Sequence, residues 1–170
     1  MPSRGLRTGL RRIIAPAAMV AFASLAAVPV AAQNEPKTAD DPAAFNPMMG
    51  ALMQMFVQPR HAKLGLAGRD ANWPLISYEL AELRRSMAQI SAAIPRWKGL
   101  PVPDLFDAAL TEPLAALETA VKARDARGFG AAFDQLTAGC NACHATTDHS
   151  FVVLKAPEVA EFPDQEFRPR

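Results

Sequence analysis

The run Cys140-Asn141-Ala142-Cys143-His144 constrains this chain more than any other feature. Two thiols three positions apart share one helical turn, and the imidazole follows at once. A Cys-x-x-Cys-His run of this kind is a c-type haem attachment signature. The thiols can reach the two vinyl groups of one porphyrin and form thioethers. His144 then offers its ring to the iron as proximal ligand. The chain has two cysteines, and the motif uses both.

Other readings of the motif need partners that the sequence does not supply. A thioredoxin-like Cys-x-x-Cys belongs in a βαβ context, and no strand-rich pattern precedes residue 140. A structural zinc site needs a second ligand pair, which His61 and His149 do not form. A disulfide between cysteines so close in sequence closes a very short loop and stabilises little.

The N-terminus has the form of a secretory signal peptide. Arg4, Arg7, Arg11 and Arg12 make a basic start, and an apolar, Ala-rich stretch follows from Ile13 to Val30. Val30-Ala31-Ala32 places small residues before a cut, so residues 1–32 read as the signal and Gln33 as the first mature residue. Pro16 and Pro29 interrupt the stretch, which falls short of the ~20 strongly apolar residues that a membrane span needs. Export and motif agree, because covalent haem attachment takes place outside the cytoplasm. The expected location is the periplasm, with no membrane attachment after cleavage.

Removing the signal removes four of the 18 Lys and Arg and none of the 17 Asp and Glu, leaving 14 against 17 and a net charge of −3. That balance gives no basic face for nucleic acid. The roughly 138 mature residues suit one domain.

Residues 33–45 are polar and carry Pro36 and Pro42, and read as a flexible lead-in. From there to residue 149 the pattern is helical, with no hairpin signals. Apolar residues at four-three steps predict four helices. The first covers roughly 47–67, with Asn46-Pro47 as cap and first position. Met49, Met53 and Phe56 form its inner stripe beside Leu52, Pro59 kinks or splits it, and Ala67-Gly68 stops it. The second runs from Asn72 or Trp73 to about Ile94, its seam made by Ile76, Leu80, Leu83, Met87, Ile90 and Ile94. Residues 95–103 are rich in Pro and Gly and read as a loop. The third helix runs from about Asp104 to Arg124, interrupted near Pro113, with Phe106, Leu110, Leu114, Leu117 and Val121 inward. The fourth starts after Asp125 and reaches about Thr147. Phe129, Phe133, Leu136, Cys140 and Cys143 share its seam, which turns both thiols toward the core.

Four helices, short links and a haem motif near the end of the last helix resemble the class II c-type cytochromes, the cytochrome c′-like four-helix bundles. The resemblance covers residues 46–147. It implies an all-α, antiparallel four-helix bundle with one covalent haem c on Cys140 and Cys143 and His144 as proximal iron ligand. It also implies a periplasmic protein that transfers electrons or binds a small gas. Residues 150–170 extend past the motif as a tail. Phe151-Val152-Val153-Leu154 is apolar and β-prone, and Pro157 and Pro163 forbid a long helix. Such a tail either frays or packs back over the helices.

Function turns on the sixth iron position. A strong sixth ligand favours electron transfer, whereas an open site favours gas binding or sensing. In an antiparallel bundle the level of His144 falls near residues 50–54 of the first helix. Met53 lies there and faces the seam, with Met49 one turn earlier. His61 lies roughly 12 Å further along the axis at ~1.5 Å per residue, and ranks second. His149 follows the haem histidine too closely to reach the opposite face. No triad, phosphate loop or paired carboxylates point to an enzyme. The expectation is an electron carrier working with redox partner proteins. The alternatives are a gas-binding or gas-sensing haem protein and, third, a thiol redox or metal-handling bundle. A homodimer is left open.

Overall fold

The computed structural model describes residues 48–159 and 162–170. The expected signal peptide of residues 1–32, the expected lead-in of 33–45 and the expected Asn46-Pro47 cap lie outside them. The described chain is all-α apart from one small hairpin.

The first expected helix is assembled from three pieces. Helix α1 (Met49–Leu52) passes into a π-helical turn (Met53–Val57), which passes into α2 (Gln58–Arg69). Leu52, Val57 and Gln58 all keep right-handed helical dihedrals, so the rod does not break. The Gln58 N–H reaches back to the Met53 carbonyl, five residues away. Pro59 follows directly. It has no N–H to donate and its ring crowds the carbonyl four residues earlier, and the wider π turn absorbs that conflict where a kink or a split was expected. The wider turn also shifts the inner face by one residue. Val57 is buried, while Phe56 is 41% exposed, contrary to its expected place on the inner stripe. Gly68 does not stop the helix. It is a point of close approach, where an added Cβ would strike the Phe129 ring.

Helix α3 (Trp73–Ala93) starts where expected. Asn72 is its N-cap, its side chain accepting from the Leu75 N–H at 3.3 Å. Ile76, Leu80, Leu83, Met87 and Ile90 are buried, and Ile94 packs against the core. Glu79 is buried too, which the apolar pattern did not reveal; Arg60 of α2 pairs with it at 3.0 Å. The expected loop contains a hairpin, β1 (Arg96–Trp97) against β2 (Leu100–Pro101). Lys98 and Gly99 both have positive φ, the geometry of the tight turn that matches strand twist.

Helix α4 (Val102–Ala123) is not interrupted at Pro113, which lies inside it. Phe106, Leu110, Leu114 and Leu117 are buried, and Val121 packs against the core. Helix α5 (Ala126–Thr146) is capped by Asp125, whose carboxylate accepts from the Arg127 N–H at 3.1 Å. Phe129, Phe133, Leu136 and Cys140 form its buried face. Helix α4 packs on α5, α2 on α3, α3 on α4, and α2 on α5.

The tail does not fray. After α5 the chain reverses at Asp148, which has φ +61. The His149 N–H bonds to the His144 carbonyl at 2.7 Å and the Asp148 N–H to the Ala145 carbonyl at 3.4 Å. This pair of bonds is the Schellman pattern that satisfies the last carbonyls of a helix. The returning tail is then fixed at intervals. Asn141 holds Leu154, Arg69 donates to the Glu158 carbonyl at 2.8 Å, and Asn72 donates to the Phe167 carbonyl at 2.9 Å. Phe167 is buried, and Leu154 and Phe162 pack against the core.

Candidate functional site

The four-three spacing of α5 brings Cys140 and Cys143 to one cavity of about 500 Å³, within the size range of small-molecule and cofactor sites. His144, His61, Met49 and Met53 share its lining. All five sequence-selected residues (Cys140, Cys143, His144, Met53 and His61) therefore meet at one place. The tail lines it from Val152 to Val159.

Cys140 is buried and Cys143 half-buried, and both are free thiols. Burial, and then the neighbouring Cys143, push the Cys140 thiol up to about 11. Burial also raises Cys143. Thiols held protonated at neutral pH are poor redox nucleophiles, since the thiolate is the reactive form. Among the described residues, no group of three or more His, Cys, Asp or Glu side chains could hold a metal ion.

The ring of His144 has a defined orientation. Its Nδ1 lies 2.8 Å from the Val152 carbonyl oxygen. A carbonyl can only accept, so Nδ1 carries the proton, and in the neutral ring Nε2 keeps its lone pair. Histidines that bind metals characteristically have this arrangement, the far nitrogen donating to a carbonyl or carboxylate. The acceptor comes from the tail, brought back by the turn at Asp148.

His61 is 3% exposed. Its Nε2 lies 2.9 Å from the Thr137 hydroxyl, which itself donates to the Phe133 carbonyl at 2.9 Å. The hydroxyl hydrogen being used, His61 Nε2–H is the donor to Thr137. The ring packs on Phe133 with centroids 4.7 Å apart. Burial lowers its pKa to about 4, so it is neutral at physiological pH. Thr137 precedes His144 by seven residues on α5, roughly 10 Å at ~1.5 Å per residue. The bond therefore anchors His61 well away from the His144 level.

Met53 opens the π-helical turn, is half-buried and packs against the core. Single π turns within helices recur at functional sites. His149 is held between Trp97 and Phe151, at centroid distances of 5.0 and 5.6 Å. Its Nδ1–H donates to the Thr147 carbonyl at 2.6 Å. It also lines the cavity.

Sequence reasoning missed Asn141, Thr137 and the Val152 carbonyl. Asn141 occupies one of the two unspecified positions of the motif, and a backbone carbonyl has no residue signature. The β-prone run that starts at Phe151 was the available signal that the tail had somewhere to pack.

The chemistry of these residues suits a covalently held porphyrin. The thiols share one face, His144 offers an oriented lone-pair nitrogen, and the walls are largely apolar. Compared with known protein families, with curated proteins and with solved structures, the chain matches none.

Proposed function

We propose that this chain is a periplasmic c-type cytochrome, a class II-like antiparallel four-helix bundle that carries one covalent haem c and transfers electrons. One observation carries the proposal. His144, directly after the Cys-x-x-Cys pair, donates from Nδ1 to a backbone carbonyl and keeps its Nε2 lone pair beside a cavity lined by both thiols. The pairwise packing of α2, α3, α4 and α5 supports the bundle reading.

Haem c, when bound, supplies a one-electron iron couple. The protein's residues do the rest. Cys140 and Cys143 are the thioether sites, and His144 is the proximal ligand. Met53 is the favoured sixth ligand, since the bond to Thr137 holds His61 about two turns of α5 from the His144 level. The apolar walls and the tail line the site, and a hydrophobic shell of this kind tunes redox potential. The partners are redox proteins. Gas binding is the second reading, favoured by the predominantly apolar cavity with its buried histidine engaged by Thr137. An iron left five-coordinate in such surroundings would be open to a small neutral ligand.

Covalent attachment is tested on protein exported in cells with a working haem maturation system. Haem should stay with the chain through denaturation and acid-acetone extraction, and replacing both cysteines with alanine should release it. An intact Cys140–Cys143 disulfide without haem would overturn the reading. Reduced spectra with and without carbon monoxide then separate the two functions: an electron carrier leaves the spectrum unchanged, and a gas binder shifts it.

A further inference from the structure

The C-terminal tail meets the motif helix at one residue. Asn141 Nδ2 donates to the Leu154 carbonyl at 2.9 Å, and the Leu154 N–H donates to Asn141 Oδ1 at 2.8 Å. One side-chain amide thus pairs with both backbone groups of one tail residue, as a neighbouring strand would. Two residues earlier in the tail, the Val152 carbonyl accepts from His144 Nδ1. Asn141 and His144 are three apart on α5, so they lie on one face, one turn from each other. Val152 and Leu154 alternate along an extended segment at a matching spacing.

We propose that Asn141 is a positioning residue for His144. Its two-point clamp on Leu154 holds the Val152 carbonyl as the acceptor that fixes the tautomer and rotation of the histidine ring. The inference deepens the haem reading and rests on it. The tail then belongs to the site as the outer partner of its histidine. Such a partner makes a ligating imidazole more basic, which favours the oxidised iron.

The segment needs an external clamp. Val152 donates only to the His149 carbonyl behind it, at 2.8 Å. Phe151 and Val153 are 80% and 71% exposed, so next to Val152 no buried side chain holds the stretch, and Leu154 is its point of packing on the core. The next fixed point along the tail is the Arg69 bond to the Glu158 carbonyl, too distant to set the position of Val152.

The test compares wild type, Asn141→Ala, Asn141→Gln and Arg69→Ala as haem-loaded full chains. In Asn141→Ala the thiols are untouched, so covalent haem should remain. Its Leu154 amide should exchange at least about tenfold faster, since both bonds of the clamp are lost and each ordinary hydrogen bond contributes about 1 kcal/mol. Its midpoint potential should rise, and the iron–histidine stretching band of the reduced protein should fall in frequency. Asn141→Gln keeps both amide groups one methylene further out and should recover part of each effect. Arg69→Ala loosens the tail at Glu158 without touching His144, and should leave potential and stretching band unchanged. Faster Leu154 exchange at wild-type potential and band position would overturn the proposal, since the clamp would then be structural only. Unchanged Leu154 exchange would overturn it as well. A wild type without covalent haem would remove the parent reading alone. Nitrogen NMR of the His144 ring in that chain, with and without Asn141, would still decide whether the clamp sets the tautomer.

Discussion

Met53 and His61 both reach the cavity, and their surroundings separate them. Thr137, which accepts from His61 Nε2–H, holds that ring about two turns of α5 from His144, whereas Met53 opens the π turn at the level expected for a sixth ligand. A thioether ligand stabilises ferrous iron and raises the potential relative to a second imidazole. The oxidised protein should therefore show the weak far-red charge-transfer band of methionine-ligated ferric haem. Met53→Ala should remove that band and admit carbon monoxide, and His61→Ala should do neither. His61 has a separate consequence for stability. Its pKa is near 4 in the folded chain against an ordinary 6.5, so between those values the unfolded chain binds the extra proton. Stability is then full above pH 6.5 and falls as the pH drops toward 4, by an amount on the order of 3 kcal/mol. Urea midpoints at pH 7.5 and pH 4.5 should show that loss, and His61→Gln should reduce it.

Among the helices, α4 and α5 meet through a backbone device that neither sequence discloses alone. Pro113 has no N–H for the Ala109 carbonyl four residues earlier. A Cβ placed on Gly139 would run into that same carbonyl, its carbon only 3.3 Å away. The bare Cα of Gly139 lets α5 approach at the turn just before Cys140, where a weak C–H···O contact can form. Helix propensity alone favours Gly→Ala by about 1 kcal/mol, but crowding a packed backbone costs about 1–3 kcal/mol. The crowding should win, because a helix carbonyl cannot swing aside as a side chain can. Gly139→Ala should lower the urea midpoint. Gly130→Ala, where a Cβ meets nothing within 4 Å, should raise it, stabilising the fold by about 0.5–1 kcal/mol. Two destabilised variants, or two stabilised ones, would refute the contact.

Across the molecule, the tail joins parts far apart in sequence. It touches α5 through Asn141 and His144, α2 through Arg69, and the start of α3 through Asn72. Phe167 is the far anchor, 5% exposed and 6.3 Å from the Phe162 ring. Removing a buried aromatic ring costs about 3–5 kcal/mol. Because Phe167 lies at the edge of the core, Phe167→Ala should cost about 3 kcal/mol of unfolding free energy. It should also speed tryptic cleavage after Lys155, which calls for local release of the tail. Cleavage at the wild-type rate would mean that Phe167 does not anchor the segment.

The helices were legible because their signals are local and periodic. The seam of α3, the caps at Asn72 and Asp125, and the shared face of Cys140 and Cys143 all follow from 3.6 residues per turn and from short polar side chains at helix starts. The shared lining of Cys140, Cys143 and His144 was legible for the same reason, their spacing being contained in five consecutive residues. Local signals failed where a feature depends on what lies across a contact. Pro59 was expected to kink or split its helix, yet a π turn absorbed it and moved Phe56 outward. Gly68 looked like a stop and is a seat for Phe129. The tail offered two outcomes, and hydrogen bonds from three different helices selected one. The tautomer of His144 lay furthest from the sequence, because its partner is a backbone carbonyl, which every residue carries and only folding can bring within 2.8 Å.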